Sequence, residues 1–590
     1  MPTIGHLCRA ALREPRQTQR QMAKGLGISL GKCHGLIRAA VSGGYIREQN
    51  GALALTEQGE ALLEGFRMEN AIILASNIDV RFVPFTHETP KSLMEIEGER
   101  IIERQIRQLR DQGITDITVV VGYLAERFEY LVDKYGVSLI YNPEYTTKSN
   151  VASLYLTRHL LGNTYLLIGD HWLWDNLFQP FEPSPWACCH WHEGPTSAWT
   201  ARTNGHRRIL ALSRGGRDQL ALQGPVCFTR ELSHKLRGFI EQEYALGLES
   251  ERWETALAGH MGELTLYAHV RHPDTVQSFH TLEELRDFDL QYVERSGNRN
   301  LRQIAAIFEV PEGLIRGLRW LDVGMANRSF HFELDGKAYI YRIPGPGSEN
   351  LVIRKHEAAV YKAIGGLGIA DEVVCLDPVS EVKVSRFYDN IGHVSMDDWG
   401  QISAAMAVLR RLHDAAIQVK HSFDIEEKLE RFEALCRRLK CVRFEDYEGT
   451  RARLEGPLRY IREQGGARVL CHMDAAHVNF LVGRDGALRL LDWEYAGLCH
   501  PLADVAMFGV FGSFSQGQMD KLLALYLGRE PSRHEQLLCY SYCACGGLLW
   551  SLWAEYRQYL GEDFGAYAMQ QYRAAKDYAR IFEGMMEDEV

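Results

Sequence analysis

One stretch limits the folds open to this chain more than any other: residues 470–497, LCHMDAAHVNFLVGRDGALRLLDWEYAG. A short, largely apolar run at Arg468-Val469-Leu470-Cys471 leads into His472-Met473-Asp474, and Asn479 stands five residues after Asp474. Phe480-Leu481-Val482 is a second apolar run, Gly483-Arg484-Asp485-Gly486 a turn, and Leu488 to Leu491 a third run ending at Asp492-Trp493-Glu494. The spacing predicts strand, loop, strand, turn, strand, acid, which brings three oxygen-bearing side chains to one place. Phosphoryl transfer needs that set: one carboxylate to orient the attacking hydroxyl and take its proton, and two ligands to hold Mg²⁺ on the nucleotide phosphates. Asp474 is therefore the expected base, and Asn479 and Asp492 the expected metal ligands. Glu494 is a further metal or substrate carboxylate, and His472 a brace for the loop. A bland alternative, two buried strands around a polar turn, leaves the offset of Asn479 and the place of Asp492 unexplained.

The order H-x-D-x-x-x-x-N followed by an acid resembles the protein-kinase pattern H-R-D-x-x-x-x-N and D-F-G. Met473 replaces the arginine and Asp492-Trp493-Glu494 replaces D-F-G, so the resemblance is to a relative of protein kinases. Upstream, Arg328 to Leu334, Asp335-Gly336 and Ala338 to Ile343 predict a hairpin, with Gly324-Met325-Ala326-Asn327-Arg328 as a nucleotide-covering loop. Arg342 in YIYRIPG stands where kinases place the phosphate-binding basic residue, and Glu357 in RKHEAAV can pair with it from the next helix.

Residues 300–590 as a whole resemble bacterial choline kinases of the aminoglycoside-phosphotransferase superfamily. The resemblance runs through GMANRSF, YIYRIPGPGSENLVIRKHE, HMDAAHVNFL, LLDWEYAG and LLWSLWAEYRQYLGEDFGAYAMQQYRAAKDYA. It implies a bilobal protein-kinase-like fold, ATP and Mg²⁺, and choline or a related amino alcohol as acceptor. A quaternary ammonium has no donor proton and is held by aromatic faces and carboxylates. Trp493, Tyr495, Trp550, Trp553 and Tyr556 fit that need, although Trp550, Trp553 and Tyr556 also have the spacing of one helix's core face.

With 590 residues, 46% apolar and 24% charged, the chain has the composition of a folded protein of about three or four domains. A net charge of −11 argues against coating nucleic acid with the whole chain. No apolar run approaches the ~20 residues that span a bilayer, and the first residues lack a signal-peptide core, so a cytoplasmic protein without a membrane partner is expected. Thirteen cysteines without a C-x-x-C pair predict reduced thiols, with Cys188-Cys189 and Cys543-Ala-Cys545 as small core residues.

Residues 1–66 read differently from the rest. Thr18 to Leu26 and Leu30 to Val41 are helices around the turn Gly27-Ile28-Ser29, and Gly43-Gly44 stops the second. Tyr45-Ile46-Arg47 and Leu53-Ala54-Leu55 pair as a hairpin around Asn50-Gly51, and Thr56 caps a helix to Phe66. This winged helix-turn-helix resembles MarR-type regulators in QMAKGLGISLGKCHGLIRAAVSGGYI. Eight Lys/Arg against five Glu make the segment +3, opposite in sign to the chain. Lys32, His34 and Arg38 on the second helix are the expected DNA contacts. The same layout serves as a dimerisation or docking module, which leaves a homodimer as the alternative use.

Residues 67–295 alternate strand and helix: Ala71 to Ala75, Ile101 to Gln112, Ile117 to Val121, Ala125 to Tyr135, Ser138 to Tyr141. A doubly wound parallel sheet follows from that alternation. The segment from AIILASNIDVRF to IYNPEY resembles sugar-phosphate and choline-phosphate nucleotidyltransferases, and SNVASLYLTRHLLGNTYLLIGDHWL points to the choline-phosphate cytidylyltransferase branch. The resemblance implies CTP as nucleotide, with Arg81 and Lys91 at phosphate positions and Asp170 at a metal position. It also implies a glycine-rich loop after the first strand, whose amides wrap the triphosphate. Here that loop is Ser76-Asn77-Ile78-Asp79-Val80-Arg81, without glycine and with a carboxylate, and Ser278-Phe279-His280-Thr281 stands where a second acidic metal ligand belongs. Reduced or altered activity is the expectation for this domain. Three alternatives remain open for the whole chain: a transcription regulator sensing choline metabolites or nucleotides, a bifunctional choline kinase and cytidylyltransferase, and an aminoglycoside phosphotransferase.

Overall fold

Side-chain caps fix the N-terminal helices. Helix α1 spans Ile4–Arg13, and Thr18 caps α2 (Gln19–Gly25) through a reciprocal box with Gln21. Ser29 accepts from the Lys32 amide to start α3 (Leu30–Ser42). Strands β1 (Ile46–Gln49) and β2 (Ala52–Leu55) pair antiparallel, Ile46 opposite Leu55, and Thr56 caps α4 (Glu57–Glu64). The computed structural model describes residues 2–587 apart from positions 50–51, 147, 149, 248–252, 291, 293–296, 322–326, 346, 389–391, 465, 467, 485 and 563. The hairpin tip Asn50-Gly51, most of the covering loop from Gly324, and Asp485 of the turn lie outside the described residues.

The chain divides into two compact units, 1–320 and 321–590. Winged helix and nucleotidyltransferase-like domain share the first. Helix α1, which was not expected, packs its Gly5 so closely on Phe66 that a Cβ there would meet the ring at 2.7 Å. Its Arg9 donates to the Phe181 carbonyl at 2.9 Å and pairs with the buried Glu182. Phe181 itself joins the winged helix's apolar core.

The seven-stranded sheet of this unit is built from β3 (Asn70–Ala75), β4 (Ile117–Val121), β5 (Ser138–Tyr141), β6 (Thr164–Ile168), β7 (Trp186–Thr203), β8 (Ile209–Phe228) and β9 (Tyr267–Arg271). Their order is β9-β7-β8-β6-β3-β4-β5. The first four in sequence are parallel to one another, as expected from the alternation. The sheet is mixed rather than wholly parallel, because the long β7–β8 hairpin adds antiparallel strands beside β6. Ala125 to Tyr135 is also two pieces, a 3₁₀ turn (Ala125–Phe128) and α5 (Tyr130–Tyr135). Helix α6 (Arg299–Phe308), placed by sequence in the following domain, belongs to the first unit: the Asn298 amide that caps it also donates to the Pro84 carbonyl.

In the second unit, β10 (Asn327–Leu334) and β11 (Lys337–Pro344) form the expected hairpin. Asp335 (φ +49°) and Gly336 (φ +69°) both take left-handed backbone, the two-residue turn that matches strand twist. Strands β12 (Val373–Leu376) and β13 (Lys383–Arg386) extend this sheet, and α7 (Arg354–Ile364) follows the hairpin in sequence. Two pairs of short strands then hold the loop region: β14 (Val469–Cys471) with β17 (Gly497–Cys499), and β15 (Phe480–Val482) with β16 (Leu488–Leu490). Helix α8 (Leu502–Phe511) and the 27-residue α9 (Arg533–Tyr559) form the apolar centre, with α10 (Tyr567–Glu587) against α9. Gly547 lets these last two approach, since a Cβ there would lie 2.7 Å from the Ala575 amide. Helix α9 is long and apolar enough to cross a bilayer, yet its apolar stretch is buried inside the unit.

Candidate functional site

The loop after β14 is held from below by one carboxylate. Asp504 on α8 is fully buried and accepts from the amides of His472 (2.8 Å) and Met473 (2.7 Å), while His413 Nε2 lies 2.9 Å from it. Met473 has φ +67°, a left-handed backbone that costs an L-residue roughly 1–2 kcal/mol. Two charge-assisted hydrogen bonds offset that cost. His472 is enclosed too: Nε2 donates to the Leu491 carbonyl (2.8 Å) and Nδ1 accepts from the Asp474 amide (3.3 Å). Burial drives its pKa down to about 4, so it stays neutral and braces the turn. Asn479 closes the loop, its Nδ2 donating to the Asp474 carbonyl (2.8 Å) and carboxylate (3.1 Å).

Arg342 on β11 pairs with Glu357 of α7 (2.8 Å) and with Asp492 (3.1 Å). Arg354, three residues before Glu357, pairs with Glu357 (3.0 Å) and Glu494 (2.7 Å). Burial works against the Glu357 charge, but Arg342 outweighs it and holds the carboxyl at about 2. The other acids are not so well compensated. Burial, then Asp492 and Glu494, push Asp474 well above the carboxylate range. Burial and Asp492 lift Glu494 to about 6 despite Arg354 and Arg342. Asp474, Glu357, Asp492 and Glu494 thus share two guanidiniums, which pair with the last three, while the partner of Asp474 is the Asn479 amide. Hard oxygen donors with unmet negative charge fit a hard divalent cation.

An aromatic cluster adjoins these acids. Trp553 donates its indole N–H to the Tyr495 hydroxyl (2.9 Å), and Tyr495 meets the Trp550 ring edge-on with centroids 5.0 Å apart. Phe564 and Tyr567 pack on Trp553 at 5.1 and 6.4 Å. Tyr495 follows Glu494 directly in the chain, so the cluster borders the acids, and burial and the charge of Asp474 push the Tyr567 hydroxyl up. Two of the expected aromatics sit elsewhere. Trp493 is in the core, its N–H on the Leu490 carbonyl (2.8 Å) and its ring against His472. Tyr556 donates to the Gly347 carbonyl (3.3 Å) and accepts from Asn350 (2.9 Å), tying down the segment after β11. Arg354, Asp504, Phe564 and Tyr567 were not singled out in the sequence. Only Arg354 carried a signal, its i,i+3 spacing to Glu357.

In the first unit, Arg81, Lys91 and Asp170 also come together, joined by Asp79. Lys91 is buried and lies 3.0 Å from Asp79, 2.8 Å from Asp170 and 2.6 Å from the Phe279 carbonyl. Arg81 donates to Asp79 through Nε (2.9 Å) and Nη2 (2.8 Å). Burial opposes ionisation of both acids, but Arg81 and Lys91 hold Asp79 below the usual range, and Lys91 and His171 hold Asp170 at about 2. Lys32, His34 and Arg38 are exposed along α3 of the winged helix.

Comparison with known proteins finds three family models along the chain. A winged helix-turn-helix DNA-binding model matches residues 9–47, a MobA-like NTP transferase domain 71–245, and the phosphotransferase enzyme family 318–537. Choline-phosphate cytidylyltransferase of Streptococcus pneumoniae is 32% identical over 225 residues, which are 36% of this chain and 97% of the relative. Protein LicA of Haemophilus influenzae is 25% identical over 264 residues, 42% of this chain and 97% of the relative. Among solved structures, choline kinase LicA from Streptococcus pneumoniae aligns with a TM-score of 0.42 at 23% identity, covering 48% of this chain and 97% of that one.

Proposed function

The chain belongs to the choline-phosphate cytidylyltransferase family through its middle domain, with a winged helix before it and a phosphotransferase-family domain after it; from that premise we propose that its main activity is phosphorylation of choline or a related amino alcohol by ATP in the second unit. The observation that carries this reading is the geometry of the loop, which sets Asn479 on Asp474 and Asp492 on Arg342 beside an aromatic cluster. Mg²⁺, when bound, would neutralise charge on the nucleotide phosphates, and Asn479 and Asp492 are the residues that would hold it. Arg342, fixed by Glu357, contacts the phosphates. Asp474 takes the proton of the acceptor hydroxyl as its oxygen bonds to the γ-phosphorus and the bond to the leaving ADP breaks. Glu494, already paired with Arg354, tunes this charge and orients the Trp493–Tyr495 turn. Tyr495, Trp553 and Tyr567 offer faces to a cation that cannot donate hydrogen bonds, which favours choline over an aminoglycoside.

The middle domain, in this reading, has lost efficient nucleotidyl transfer, because its basic side chains are already paired with Asp79. The winged helix binds duplex DNA through Lys32, His34 and Arg38. One experiment tests both catalytic halves. ATP consumption is measured with choline, ethanolamine and an aminoglycoside, and pyrophosphate release with CTP, Mg²⁺ and phosphocholine. Choline-dependent ATP use with little pyrophosphate is expected. Aminoglycoside preference would overturn the acceptor, and brisk pyrophosphate release abolished by Lys91→Ala would show a working cytidylyltransferase.

A further inference from the structure

We infer that Asp79 is a built-in stand-in for a nucleotide phosphate, so that the middle domain's nucleotide site is closed by its own chain. The inference rests on the reading of that domain as a weakened nucleotidyltransferase and names the residue responsible. Strand β3 lies between β6 and β4, so the chain leaves it in opposite directions across the sheet. Such a reversal opens a crevice at the carboxyl ends of the strands, where folds of this kind take their ligands. Asp79 follows β3 and Asp170 follows β6, so both carboxylates belong to that crevice.

Lys91 is fully paired there. An ammonium has three donors, and Lys91 Nζ has three acceptors within 3.0 Å: Asp79, Asp170 and the Phe279 carbonyl. Arg81 reaches Asp79 with two guanidinium nitrogens while the Arg81 amide also donates to it (3.1 Å). A two-pronged guanidinium on a carboxylate has the geometry of a guanidinium on a phosphate. Two acids and two bases sum to zero charge, and a triphosphate entering a neutral, partly buried site gains little from Coulomb attraction. Removing Asp79 leaves the group at +1, frees the Arg81 fork, and clears the space of one carboxylate. Asp79 also lacks the freedom of glycine, so the loop's backbone cannot come as close to a phosphate.

The test titrates CTP with Mg²⁺ into the full chain by calorimetry, comparing wild type, Asp79→Gly, Asp79→Asn, and each of these variants with Lys91→Ala added. The second unit also takes nucleotide in our reading, so the informative signal is binding that Lys91→Ala abolishes. Wild type is expected to show none. Asp79→Gly should gain one further equivalent of CTP, bound at least about tenfold more tightly than any such binding in wild type, and Asp79→Asn should gain part of it by losing charge alone. Circular dichroism checks the fold, and Asp79→Asn, nearly the same size, decides the matter if Asp79→Gly does not fold. No Lys91-dependent binding in either folded variant would overturn the inference while leaving the domain weak, the loss then lying with Asn77 and Ile78. Lys91-dependent binding in wild type that Asp79→Gly weakens would overturn both, making Asp79 a ligand of the nucleotide's metal.

Discussion

The two units present the same kinds of residues, carboxylates, an arginine and buried ion pairs, with opposite outcomes. In the first, Asp79, Arg81, Lys91 and Asp170 balance one another, and both acids are held below or at the bottom of the carboxylate range. In the second, Arg342 and Arg354 satisfy Glu357 but leave Asp474 and Glu494 with raised pKa values. A balanced network is a structural element. A network short of positive charge is a site for something that supplies it.

Removing the acids of the second unit should produce the largest effect. Asp474→Ala or Asp492→Ala is expected to lower choline-dependent ATP turnover by about a thousandfold or more, with circular dichroism unchanged. Near-normal turnover in either would erase the contrast between the units. Next, Glu357→Gln should destabilise the second unit by about 3 kcal/mol in calorimetric unfolding at neutral pH, since it removes the buried carboxylate that Arg342 and Arg354 share. The sign of its pH dependence is fixed: Glu357 sits at about 2 against an ordinary 4.5. Its stabilising share is therefore present above about pH 4.5 and lost as pH falls towards 2, and the variant should show a flatter stability profile in that window. A steeper profile would contradict the pairing.

Smaller effects sharpen the comparison. Tyr567→Ala should raise the KM for choline about tenfold with kcat little changed, as loss of one aromatic face around a cation implies. A fall in kcat at constant KM would move Tyr567 from acceptor binding to the chemistry. The smallest expected change is in DNA binding by the first unit. Replacing Lys32 or Arg38 with Ala should weaken a low-salt gel shift on the gene's own upstream region and reduce the salt slope by about 1 each. A dimer without any shift would favour docking instead.

Local signals in the chain were legible wherever local chemistry decides the outcome. Asp335-Gly336 specified its turn, Thr56 its cap, and the spacing of Asp474, Asn479 and Asp492 placed three groups around one loop. Long-range pairings were not legible. Helix α1 takes its meaning from Phe181 and Glu182, Tyr556 from Gly347, and Trp493 from the core around His472, none of which is a neighbour in sequence. Asp79 was visible as a misplaced carboxylate in a phosphate loop, whereas its capture of both Arg81 and Lys91 required the fold.

The carboxylate of Asp504 has a consequence for hydrogen exchange in the loop after β14. The amides of His472 and Met473 end on a fully buried side chain of a core helix. They can exchange hydrogen with solvent only when that core opens, on the timescale of global unfolding. Asn479 and the strands after it are tied by contacts nearer the surface and can open in smaller fluctuations. His472 and Met473 should therefore be among the slowest-exchanging residues of the unit.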